Sequence, residues 1–401
     1  MAWPRMKPPA VVDAPQISAE KVAAFRLAQH HLARKAAASQ LPRVAGDMAG
    51  VQAQLMSAAQ MSLWSRTRGL RLEDVERALW QDRTLVKVWC MRGTVHLVPS
   101  HDFAVFVRGS AGRAERSTAW MIRAGLPVDR IERFVEAAQR ALDRPLTRKE
   151  LAERVSDSLG VSMRSKGGRG WGGPANAPGF EVGDSIVSIG GILFLACMRG
   201  IACAGPNRGN EVTFVRPDVW LADWREMSQE KAEDDLLRRY LRAHGPATVG
   251  DFAMWTYLTA ADARGVWSRL EKDLTPVNVD GRTAWVLRAD LPSLRRARID
   301  RPTVRLLPYF DSFLLGLKDK SHLVDAAHYK RVFRSQGWLS PVVLIDGRVA
   351  GVWSVDRKHR RLGIRVEAFK ALRAADRTSI RDEAEDLRRF LDVAEVAVAF
   401  A

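Results

Sequence analysis

The dipeptide Asp280-Gly281, flanked on both sides by alternating strands, constrains the fold more than any other part of this chain. Residues 275 to 279 and 282 to 287 alternate in polarity. A two-residue Asp-Gly connection suits the right-handed twist of a tight hairpin. Three helices precede it. Residues 236 to 244 end the first. Thr248 caps a second, which runs through Phe252 and Trp255. Thr259 caps a third, through Val266, Trp267 and Leu270. Helix, helix, helix, hairpin is the order of a winged helix, here at residues 226 to 300. The full length of 401 residues leaves room for two or three such cores.

Residues 126 to 225 suggest the same architecture without a fixed sequence period. Thr147 and Glu150 form an S/T-x-x-E capping box, and Gly160 stands where that helix should stop. Residues 165 to 179 then hold six glycines and two prolines, which rules out a regular element. Arg164, Lys166, Arg169 and Trp171 decorate this stretch. It reads either as a linker or as a loop that orders on a DNA backbone. A buried helix over 184 to 199 follows. Strands over 201 to 204 and 211 to 215 then flank a basic turn containing Arg208, the shape of a wing.

The two ends differ from this pattern. Residues 1 to 17 read as a flexible lead. Ser18 caps a helix that Pro42 is expected to end, with His30-His31 as a surface pair. Helices over 55 to 64 and 72 to 79 and a strand over 94 to 98 follow. Residues 301 to 401 carry a hairpin at Asp346-Gly347, a strand over 362 to 369, a helix over 380 to 391 and a last strand over 393 to 400. Arg357, Lys358, His359, Arg360 and Arg361 run consecutively at a turn between two strands. They form either a solvated turn or a rigid basic finger. A rigid finger enters a groove at lower ordering cost than a loose loop.

Sixty-three Lys and Arg against 46 acidic residues give a formal charge of +17. That excess favours a polyanionic partner, nucleic acid or an anionic membrane surface. The three cysteines, Cys90, Cys197 and Cys203, are too few and too scattered for a disulfide framework or a zinc site. Residues 1 to 15 contain no apolar signal core, and the longest apolar run, 186 to 198, is too short to span a bilayer. The eight histidines lack ligand spacing, and residues 167 to 173 lack the G-K-[ST] of a phosphate loop. No metal and no cofactor are expected. The chain reads as a cytoplasmic, nucleoid-associated monomer that does not contact membranes.

Gln52 and Gln54 stand one residue apart in Gly50-Val51-Gln52-Ala53-Gln54-Leu55. On a strand that spacing puts both amides on one face; on a helix they would diverge by about 200°. They are either polar surface residues or a pair able to hold a water without titrating. Some forty residues on lies Arg92-Gly93-Thr94-Val95-His96-Leu97-Val98. These two segments resemble, in order, the winged-helix DNA glycosylase family typified by AlkZ and YcaQ. Further matching segments are Gly205-Pro206-Asn207-Arg208-Gly209, His244-Gly245-Pro246-Ala247-Thr248, Val304-Arg305-Leu306-Leu307-Pro308 and Asp346-Gly347-Arg348-Val349. Each segment alone is weak. Their order is specific, and the resemblance spans roughly residues 18 to 400.

The resemblance supplies a first winged-helix unit at 18 to 125. The expected fold class is thus α+β, with three tandem winged-helix units and a C-terminal β-rich part carrying basic hairpins. It also implies hydrolysis of the N-glycosidic bond of alkylated purines in double-stranded DNA. Gln52 and Gln54 match the family's catalytic pair. The AlkZ branch has Gln at both positions; the YcaQ branch has Asp at the second, a carboxylate this chain lacks. A purine alkylated at N7 is cationic and leaves without a proton from a general acid. Two amide carbonyls can orient a water against C1′ and stabilise the oxocarbenium-like sugar through their dipoles. Such chemistry selects by leaving group, so bulky adducts and interstrand crosslinks are admitted without full extrusion of the nucleotide. Arg92 and His96 either face the pair or brace the first unit. Asp311 reads as a buried capping residue rather than a catalytic one. Because a fold alone does not specify activity, a non-catalytic DNA-binding regulator is the competing reading.

Overall fold

The computed structural model describes residues 14 to 123, 126 to 164, 178 to 182, 185 to 358 and 360 to 401. Leu274–Val279 and Arg282–Leu287 form the central hairpin. Asp280 (φ 49°) and Gly281 (φ 77°) are both left-handed, as a type I′ turn requires. Helices Gln229–His244, Val249–Thr256 and Ala260–Arg269 precede it. Thr248 and Asp251 exchange both hydrogen bonds of a capping box, and the Thr259 side chain accepts from the Asp262 amide. Ala247 bridges Trp285, adding a one-residue pairing beside the second strand of the hairpin.

That order occurs twice more upstream. One set is Val128–Ala141, Leu146–Thr147, Arg148–Leu159, Ile189–Met198, Cys203–Arg208 and Glu211–Val215. The other is Leu41–Asp47, Val51–Gln52, Met56–Trp64, Leu72–Trp80, Leu85–Trp89 and Val95–Pro99. In each, the last strand lies in the middle, between the strand before it and the short first strand. The capping box at Thr147 and the left-handed Gly160 (φ 63°) bound the helix Arg148–Leu159.

Three local expectations are corrected. Pro42 does not end a helix. The helix Ala19–Gln29 stops at His30, and Pro42 opens the next one in its first turn, where a missing N–H costs nothing. Gln16–Ile17 is a short strand parallel to Asn278 and Val279, so the ordered chain starts inside the expected lead. The buried helix begins at Ile189 rather than 184, because the Ser188 side chain caps it and Ser185–Ser188 is extended.

Past residue 300 the chain forms a curled sheet of five strands: Val304–Leu307, Val342–Ile345, Arg348–Lys358, Arg361–Ala368 and Glu395–Phe400. The first four are antiparallel; the last is parallel to Arg361–Ala368 and is reached through the helix Ala374–Phe390. Leu362, Ile364 and Val366 alternate inward, where they meet Ile380, Leu387 and Phe390 of that helix. Leu63, Trp64, Val75 and Leu79 belong to the same hydrophobic cluster. The Met56–Trp64 and Leu72–Trp80 helices therefore share a core with the C-terminal sheet.

Candidate active site

Val51–Gln52 pairs with the strand Val95–Pro99, placing Gln52 opposite His96. The strand ends there, and Gln54 lies just beyond it, before the helix Met56–Trp64. The two amides consequently differ. Gln52 is 8% exposed, whereas Gln54 is open to solvent. The Val95 amide donates a long 3.5 Å hydrogen bond to Gln54 Oε1, leaving that carbonyl mostly free. Gly50 (φ 89°) sets up the approach to this strand. A Cβ there would lie 2.8 Å from Met91 Cε.

Arg92 fixes Gln52. Its backbone is left-handed (φ 57°), and its guanidinium lies 4.0 Å over the Trp255 ring. Nη2 donates to Gln52 Oε1 at 2.8 Å and to His96 Nε2 at 3.1 Å. The Thr94 carbonyl lies 3.0 Å from His96 Nδ1, so Nδ1 carries the proton and Nε2 is the acceptor. Burial, reinforced by Arg92, holds the imidazole pKa well below the ordinary histidine value. His96 is therefore neutral, as this geometry needs. Burial also pulls the Arg92 guanidinium down to about 10, still charged at neutral pH.

Asp311 is fully buried. It accepts from Arg66 Nη2 (2.6 Å) and Nη1 (2.8 Å), from Ser62 Oγ (2.9 Å) and from the Phe313 amide (3.0 Å). It is a capping and bracing residue. Ser312 Oγ donates to the Gly50 carbonyl at 2.9 Å, tying this segment to the approach to Gln52.

A cleft of about 120 Å³ opens beside Gln54. Lys87, Trp89, Arg148, Val212 and Phe214 help line it, and among the described residues no carboxylate does. Sequence reading missed these residues, although one signal was available. Lys87 and Trp89 sit two apart in an apolar strand and so share a face.

The expected DNA contacts fall into three groups. Arg208 is not a free wing tip: it ion-pairs with Glu150 and donates to the Pro145 carbonyl. The reason is Glu150, whose carboxylate caps the adjacent helix and draws the guanidinium back. Arg361 pairs with Glu395 (2.7 Å) across parallel strands. Arg357 and Arg360 are exposed at the end of the long hairpin, which Lys358 continues in register with Arg361. His359, Lys166 and Arg169 lie outside the described residues. Arg164 pairs with Gly179 through its backbone.

Among the described residues no group of three His, Cys, Asp or Glu side chains could hold a metal. Among them, too, no helix is long and apolar enough to cross a membrane. All three cysteines are buried, and burial pushes the Cys90 thiol up to about 12.

The architecture is that of a DNA glycosylase. It matches the solved structure of Streptomyces sahachiroi DNA glycosylase AlkZ with a TM-score of 0.79 and 29% identity, covering 96% of this chain and 100% of that one. A family model described as "DNA glycosylase AlkZ-like" matches residues 45–390. A Streptomyces sahachiroi protein described as an interstrand DNA cross-link repair glycosylase is 34% identical over 321 residues, 78% of this chain and 81% of that one. The chain belongs to the AlkZ-like DNA glycosylase family, hydrolases of N-glycosyl bonds.

Proposed function

We propose that this enzyme hydrolyses the N-glycosidic bond of cationic N7-alkylated purines in double-stranded DNA, including bulky adducts and interstrand crosslinks, with Gln52 and Gln54 as the catalytic pair. One observation carries this reading: Gln54 lines a cleft with no carboxylate among its described residues, two positions after the buried Gln52 that Arg92 holds. Neutral carbonyls suit a substrate whose leaving group is already charged. Gln52, clamped by Arg92, and Gln54, open to the cleft, orient a water toward C1′. As the bond from C1′ to the purine breaks, its electron pair neutralises the cationic base. The water adds to C1′ and loses its proton to solvent. The partial negative charges of the two carbonyls stabilise the positive sugar at that moment. The crosslink activity named for the Streptomyces sahachiroi relative fits a cleft that is open to solvent beside Gln54.

The three repeated sets of elements are winged-helix units, at residues 18 to 125, 126 to 225 and 226 to 300. The hairpin bearing Arg357, Lys358 and Arg360 is the groove-entering finger. Gln52→Ala and Gln54→Ala should each abolish most single-turnover release of 7-methylguanine and leave duplex affinity nearly unchanged. Release at the wild-type rate by both variants would overturn the assignment.

A further inference from the structure

The cleft beside Gln54 brings together two cations that have no ion pair. Lys87 comes from the middle of the strand Leu85–Trp89, and Arg148 opens the helix Arg148–Leu159. Among the described residues neither has an acidic partner within 4 Å. The acids whose fields reach them are Glu76 for Lys87 and Glu211 for Arg148. Glu76 already accepts from Gln60 (2.9 Å) and from Trp80 Nε1 (2.7 Å). The Arg148 guanidinium lies 5.0 Å from the Phe214 ring centre, and its Nε is buried without a hydrogen-bond partner. Phe214 stacks on Trp89 at 5.9 Å and 2° between planes, which stiffens the wall behind both cations. Burial lowers the proton affinity of both, and the Arg148 charge lowers that of Lys87 further.

Two partly desolvated, unpaired cations are costly unless an anion completes them. The volume limits which anion. About 120 Å³ is room for several waters. Pockets for drug-sized ligands run to roughly 300–1,000 Å³. A tetrahedral oxyanion fits such a space. A second hollow, of about 400 Å³, shares no residue with this one; three carboxylates, Glu115, Glu233 and Asp262, line it against one cation, Arg269, which is already paired with Glu233.

We propose that Lys87 and Arg148 form a phosphate seat that holds one phosphodiester of the damaged strand beside Gln54. The inference rests on Gln54 acting at the glycosidic bond. A seated phosphate fixes the adjoining sugar, so C1′ is positioned against the amides without a pocket for the base. Lys87 and Arg148 are positioning residues: they hold the strand and do not touch the bond that breaks.

The test uses full-length protein and fluorescent duplexes, with binding followed across a KCl series. For Lys87→Gln/Arg148→Gln, the slope of log K against log salt should fall in magnitude by about 0.9, the loss of one phosphate contact. Single-turnover release of 7-methylguanine should fall at least tenfold. Lys87→Arg should keep the slope. Because the double variant's own packing changes, a second measurement uses the wild-type fold. Neutral methylphosphonates are placed one at a time around the lesion. One position should reproduce the slope loss in wild type and have no further effect in the double variant. If every methylphosphonate acts equally on both proteins, or the slope is unchanged in the double variant, the seat is wrong. Millimolar inorganic phosphate should compete poorly, because the seat takes a phosphate delivered by the strand; strong competition would make it a free-anion site and overturn the proposal. Gln54→Ala separates the two claims. Wild-type excision by that variant refutes the catalytic role, while the salt slopes judge the seat independently.

Discussion

Lowering the pH from 7.5 to 5.5 should strip this protein of about 4 kcal/mol of folding stability, far above the range in which carboxylates titrate. His30 and His96 have no exposed surface, and His244 has 2%. His30 lies between the His244 ring, at 5.0 Å, and Phe313, at 5.3 Å. Burial is the main force holding all three well below the ordinary histidine range. Cations add to it: Arg92 beside His96, and Arg26 and Arg92 near His244. The sign follows directly. In the folded chain these rings stay neutral; in the unfolded chain they take up protons below about pH 6.5. The unfolded state then binds more protons, and stability falls as pH falls. Each of these three contributes somewhat more than about 1 kcal/mol between pH 7.5 and 5.5, about 4 kcal/mol together, and His322, which burial lowers to about 3, adds to the same fall. That is a large part of the roughly 5–15 kcal/mol available to a folded chain. Urea unfolding at the two pH values measures it, with the m-value checked for constancy. His30→Phe should remove one histidine's share of the pH dependence, about a quarter, whatever it does to stability at pH 7.5. A flat stability between pH 7.5 and 5.5, or an unchanged dependence in His30→Phe, would refute the reasoning.

Arg92→Met should slow single-turnover excision about tenfold to a hundredfold. It removes a charge-assisted hydrogen bond worth roughly 1.5–3 kcal/mol from Gln52; release of 7-methylguanine at the wild-type rate would remove Arg92 from the site. Asp311→Ala strands a buried guanidinium and should cost about 3–5 kcal/mol in a urea titration. Replacing Arg357, Lys358 and Arg360 by Ala should lower the salt slope of duplex binding by about 0.9 per lost contact. If only the Arg164/Lys166/Arg169 triple variant lowers it, the loop and not the hairpin grips DNA. Excision should persist in EDTA; loss restored by one specific ion would show a metal requirement.

What could be read from the sequence was local. Asp280-Gly281, the capping residues Thr147, Thr248 and Thr259, and Gly160 each act within a few residues, and each is where its chemistry puts it. Pro42 was misread because proline both follows helices and opens them, and only the left-handed His31 (φ 55°) shows which applies. His30, expected at the surface, is buried because its helix ends against His244 and Phe313. The Gln pair was singled out by family resemblance, since spacing alone left it open, and neither signal showed that the two amides differ. One amide is buried by Arg92, forty residues away, and the strand stops before the other. The cleft of Lys87 and Arg148 joins segments sixty residues apart, and Arg66 meets Asp311 across 245. No periodicity in a single segment reports such meetings.

The shared core of the Met56–Trp64 helix and the C-terminal sheet has a consequence for synthesis on the ribosome. The support for the Gly50 approach includes Ser312, and the wall behind Trp64 includes Phe390, 6.3 Å away between rings. The two glutamines proposed to act on the substrate are made early, but their backing is made last. At ~5–20 residues per second, the stretch from Asp311 to the end takes on the order of ten seconds to emerge. During that interval the nascent chain carries both glutamines without the frame that aims them. A truncated product would hold the amide pair and lack the enzyme.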